Sequence, residues 1–143
     1  MFDPSRDQAR QFFIDAWTKH RDASVLTPME SLFVGIAEAH PEYHRFLEDP
    51  EAIDRDFSPE DGQINPFLHL SLHLAVEEQL SIDQPPGLKS AFAQLQLRLG
   101  NRHEAMHQVV ECLGETLWRA QRDRQPPDGA AYVDAVRKRA GLA

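Results

Sequence analysis

Apolar residues recur along this chain at intervals of three and four, the spacing that places them on one face of a helix. Phe12, Phe13, Ala16 and Trp17 form the first such stripe, and Met29, Phe33, Ile36, Ala37 and His40 form a second. Ser5 with Gln8 reads as a capping box ahead of the first. Thr27 with Glu30 reads as another ahead of the second, with Pro28 at the first helical position. Pro41 ends or kinks that helix near His40, and a short helix follows through Tyr43, Phe46 and Leu47. Residues 49–64, acidic and broken by proline and glycine, read as a loop. Asn65-Pro66 opens a helix to about Ile82, where Gln84-Pro85-Pro86-Gly87 stops it. Leu88, Phe92, Leu95 and Leu99 mark the next helix, with Gly100 as its stop. Asn101 with Glu104 starts another, which turns Met106, Val110, Leu113 and Leu117 inward and ends near Arg122. After Gln125-Pro126-Pro127-Asp128 a last helix covers about 130–139. No alternating run of useful length predicts a strand. The expected fold is an all-α bundle of five to six helices in one domain, 1–143.

A faint repeat runs through the second half. Gln84 to Gly100 and Gln125 to Gly141 are both intervals of 16 residues, and both begin Gln-Pro-Pro. Leu88, Phe92, Leu95 and Leu99 align with Gly129, Val133, Val136 and Ala140, and His69/His73/Glu77 aligns with His103/His107/Glu111. The gaps differ by seven residues, about two helical turns, so the buried face stays in register. The pattern fits a duplicated helical hairpin.

Composition narrows the classes of function. Hydrophobic residues make up 41% and charged residues 27%, in the range of globular proteins. A net charge of −8 without a basic, aromatic-studded stripe argues against nucleic acid as a partner. No apolar run reaches the ~20 residues that span a bilayer, so no membrane partner is expected. The first ten residues lack signal-peptide order, and a cytoplasmic location is expected. One cysteine, Cys112, excludes an internal disulfide and any multi-cysteine metal site; a small buried residue is its expected role. A homo-oligomer and an unspecified small-molecule substrate remain open.

The chemistry lies in the histidines. Six of the seven fall into pairs four apart: His40/His44, His69/His73 and His103/His107. Chance would give about 0.3 such pairs. Glu77 and Glu111 continue two of the stripes by a further four. Two imidazoles at this spacing chelate one ion. A full stripe cannot, because its ends lie about 12 Å apart along the helix axis. With carboxylates as bridging or terminal oxygen ligands, the pattern suits a dinuclear site of Fe, Mn or Zn between the helices 66–82 and 102–122, completed by His40 and His44. Redox or hydrolytic chemistry at such a metal is the enzymatic form of this reading. A histidine on an apolar face is, taken singly, more often a hydrogen-bonded core residue than a ligand. A metal-free helical interaction module with a buried His/Glu network is therefore the rival. Buried imidazoles without partners would cost about 1–3 kcal/mol each, so either a metal or a network must satisfy them. HEAMH (103–107) also matches the H-E-x-x-H zinc-hydrolase pattern, with Glu104 as general base, although Glu104 has a capping role beside Asn101. His20 stands outside the pairs and reads as structural.

NPFLHLSLHLAVEEQLSIDQPPG, the preceding HPEYH and the later HxxxHxxxECLGETLW resemble an uncharacterised family of small bacterial proteins, over nearly the whole chain. That resemblance implies no particular activity. His73 with Glu77, and the H-x-x-x-H elements, give a weaker likeness to hemerythrin-type di-iron bundles. Ligand order and helix spacing differ from that pattern, and oxygen carriage does not follow.

Overall fold

A computed structural model describes residues 6–55, 57 and 65–142. The described residues form an all-α protein with seven α-helices and no strand: α1 (Arg6–Arg21), α2 (Pro28–Glu38), α3 (His44–Leu47), α4 (Pro66–Ile82), α5 (Leu88–Leu99), α6 (Arg102–Asp123) and α7 (Gly129–Arg139). Pro41–Tyr43 and Pro50–Asp54 are 3₁₀ turns. The second of these breaks what reads from sequence as one loop; most of the remainder of 49–64, like the Ser5 cap, lies outside the described residues. By packing the chain divides into two compact units, Met1–Leu74 and Ala75–Ala143, with the boundary inside α4.

In the first unit α1 packs on α2, α3 and the 50–54 turn. Phe13 and Phe33 stack at the centre, centroids 4.4 Å apart and planes within 3°, and Phe12 meets both edge-on. Ala16, Trp17, Ala37, Leu47, Phe67 and Leu70 complete this core. The Trp17 indole N–H donates to Glu48 at 3.1 Å, which satisfies its one polar atom. The Thr27 capping box forms in both directions. It places Glu30, rather than Met29, on the buried side: Glu30 takes the Thr27 N–H at 2.9 Å and the Lys19 ammonium at 2.8 Å, and Met29 points outward. Arg10 is buried, and one of its nitrogens donates to the carbonyls of Ala52, Ile53 and Arg55. Those carbonyls lie where the 50–54 turn closes, and the one of Ala52 also accepts the Arg55 N–H at 3.2 Å. Phe67 lies under the same guanidinium, 4.7 Å from its ring centroid.

In the second unit α5, α6 and α7 pack on one another around Leu88, Phe92, Leu95, Met106, Val109, Leu113, Tyr132 and Val136. Gly100, in the left-handed region at φ 69°, ends α5, and Asn101 at once caps α6 by accepting from the Glu104 N–H at 3.0 Å. The junction is a sharp turn rather than a kink. α5 has twelve residues, so it covers α6 only to about Leu113. Leu117, expected inward, lies beyond that cover and is exposed. The Gln-Pro-Pro repeat has a structural counterpart. α5 and α7 both start four residues past the glutamine, and Gly100 and Gly141 both take positive φ at their ends. Phe92/Leu95 and Val133/Val136 are buried in the same register. The Tyr132 hydroxyl donates to Gln79 on α4 at 2.7 Å. Burial pushes the Tyr132 phenol and the Cys112 thiol above their ordinary ranges. No described helix is long and apolar enough to cross a membrane.

Candidate metal centre

Three of the predicted ligands meet in the first unit. His40 stands where α2 has ended, because Pro41 cannot continue the helix; His69 and His73 sit one turn apart on α4. The Nε2 atom of His69 lies 3.3 Å from Nε2 of His40 and 3.1 Å from Nε2 of His73. The ring nitrogens that the three offer all lie within 4.8 Å of one another, close enough to hold a metal ion. His40 and His73 are buried and His69 is half-buried.

The hydrogen bonds fix which atom of His40 faces the group. Its Nδ1 lies 2.8 Å from the Ile36 carbonyl. A carbonyl only accepts, so Nδ1 carries the hydrogen, and in the neutral ring Nε2 presents its lone pair. That carbonyl belongs to the last turn of α2, the negative end of the helix dipole, where positive charge is favoured. Tyr43 closes on two of the rings. Its ring is parallel to that of His40 within 4°, at 5.8 Å between centroids, and edge-on to His69 at 5.7 Å. Burial, reinforced by the Glu42 carboxylate, pushes the Tyr43 phenol up, so it is neutral near pH 7.

Three other predicted ligands, His44, Glu77 and Glu111, go elsewhere. His44 donates from Nε2 to the Ala37 carbonyl at 2.7 Å and lies against Trp17, centroids 4.3 Å apart. Glu77 takes both terminal nitrogens of Arg102, at 2.9 and 3.2 Å. Glu111 takes Arg139 at 2.5 Å. In the second unit the His103 and His107 rings lie 4.3 Å apart, and His107 donates from Nδ1 to the His103 carbonyl. His103, read from sequence as inward, is exposed: Ala105, Met106 and Val109 occupy the inward face of α6. Glu104 is exposed as well, at the cap that Asn101 makes. His20 packs on Trp17 and lies 4.0 Å from Glu38.

Tyr43 is the contact that sequence reading missed. Its signal was present as the third residue after His40 across a proline, because a turn there bonds the Tyr43 N–H to the His40 carbonyl at 3.0 Å and brings the two residues together.

Set against curated proteins and solved structures, the chain has no match, and the likeness to hemerythrin-type bundles has no support. Over residues 5–138 it matches the family described as "Domain of unknown function (DUF1841)", and the chain belongs to that family.

Proposed function

We propose that this protein binds a single divalent transition-metal ion through His40, His69 and His73. The observation that carries the reading is the position of His69 Nε2 between two other ring nitrogens. A ring nitrogen has one in-plane position, taken either by a hydrogen or by a lone pair. Whichever it holds, it cannot make a good hydrogen bond to both neighbours. A cation at the shared point removes the conflict, since all three lone pairs then face it. The spacing supports this. Metal–imidazole bonds of about 2.0–2.1 Å place neighbouring ligand nitrogens about 2.9–3.4 Å apart, from octahedral to tetrahedral geometry.

The donors converging here are imidazoles, while Glu77 and Glu111 hold arginines. An all-nitrogen set suits Zn, Co, Ni or Cu, and the two carboxylates that would favour Fe or Mn are engaged elsewhere. The site is therefore mononuclear in this reading, and the sequence expectation of two ions bridged by glutamates is set aside.

The test is elemental analysis of protein purified without a histidine tag, beside a His69→Ala/His73→Ala variant. We expect about one metal per chain in the native protein and a loss of at least tenfold in the variant. Equal metal content in the two would leave a hydrogen-bonded network of imidazoles as the better account.

A further inference from the structure

We propose that Tyr43 is a positioning residue for this centre, holding the planes of His40 and His69 so that their lone pairs cross at one point. The inference rests on the metal-binding reading above. An imidazole lone pair lies in the plane of its ring, so a ring that rotates about its Cβ–Cγ bond swings the lone pair off the ion. His40 is held on one edge by its Nδ1–H bond to Ile36. Its face is held by Tyr43, parallel within 4°. Tyr43 also meets His69 at 66°, so a single side chain touches two of the three rings.

The local sequence explains why Tyr43 can do this. Pro41 ends α2, and the 3₁₀ turn that follows brings the Tyr43 N–H to the His40 carbonyl at 3.0 Å. The turn folds the chain back at His40 and sets the phenol ring parallel to the imidazole, offset with centroids 5.8 Å apart. HPEYH is thus a ligand and its brace in one short stretch. Outer groups that orient a ligand commonly change metal affinity by about 10–100-fold when removed.

Cobalt(II) serves as the probe, because its ligand-field bands report coordination geometry. Native protein, Tyr43→Phe and Tyr43→Leu are titrated with Co(II), and release to a chelator is timed. Tyr43→Phe keeps the ring and is expected to match the native spectrum and release rate. Tyr43→Leu is expected to shift and weaken the bands and to release cobalt at least tenfold faster, with the melting of the metal-free protein showing that the fold is intact. A Tyr43→Leu protein with the native spectrum and release rate overturns the proposal, as does a Tyr43→Phe protein that behaves like Tyr43→Leu. If native protein takes up no cobalt, the metal-binding reading itself fails, which is a different result. Should Tyr43→Leu not fold, native protein labelled with 3-fluorotyrosine gives the answer. The chain has two tyrosines, so fluorine NMR resolves Tyr43 from Tyr132. A Tyr43 resonance that zinc does not move rules the proposal out.

Discussion

His40 and His69, twenty-nine positions apart in the chain, bring their Nε2 atoms to 3.3 Å. Such a contact between two ring nitrogens stabilises the fold only with something positive between them, a hydrogen or a metal. If the ion binds the folded state alone, free metal at a hundred times its dissociation constant adds about 2.7 kcal/mol of stability. Chelation should then lower the melting temperature of the native protein and leave His69→Ala unmoved. Identical shifts in both would count against metal binding at these residues.

The arginine partners of Glu77 and Glu111 lead to a second expectation. Glu77→Gln and Glu111→Gln should keep native metal content, and each should cost no more than about 1 kcal/mol, since Arg102 and Arg139 reach solvent. A variant that loses half of its metal would restore the carboxylates to the ligand set.

Glu30 should make the first unit sensitive to acid. Its carboxylate is held below its ordinary 4.5, chiefly by the hydrogen bond from Lys19 and then by the Thr27 N–H. A lowered pKa in the folded state contributes stability that is full above the unfolded value and fades as pH falls through the folded one. The difference in melting temperature between native protein and Glu30→Gln, measured with chelator present, should therefore shrink from about pH 6 to pH 3. A constant difference across that range would mean that the ion pair contributes nothing.

Phe13 and Phe33 carry the centre of the first core. Truncating Phe13 to alanine leaves a cavity in a stacked aromatic cluster and should cost about 3–5 kcal/mol in urea unfolding. A cost under 1 kcal/mol would show that the neighbouring Phe12 and Trp17 collapse into the space.

Cys112 is buried, and burial raises its thiol pKa. Thiolate is the reactive form, so a disulfide reagent should modify the native protein only as fast as α6 opens, and the urea-unfolded chain at once. Immediate modification of the native state would place the thiol at the surface instead.

Much of the fold was legible because its punctuation is local. Thr27-Pro28, Asn65-Pro66, Asn101 and the two Gln-Pro-Pro stops set helix boundaries through caps and missing N–H groups, which depend on a few adjacent residues. The inward faces of Met29, His103 and Leu117 were not legible. Each depends on what lies opposite: a buried Glu30, a helix start, a neighbour that ends too soon. The histidine stripes were visible as spacing, but spacing treats every stripe alike. Tertiary packing separated them by giving Glu77 and Glu111 to arginines and His44 to a carbonyl, while His40 met α4. Arg10 gave no sequence signal at all, for its partners are backbone atoms more than forty residues away.

That arginine governs how the chain can be trimmed. Because one guanidinium holds three carbonyls of the 52–55 stretch, a truncation that removes the first turns of α1 would free a segment far downstream. The amino-terminal helix thus anchors a stretch more than forty residues away, and deletion mapping from that end would misplace the minimal domain unless residue 10 is kept.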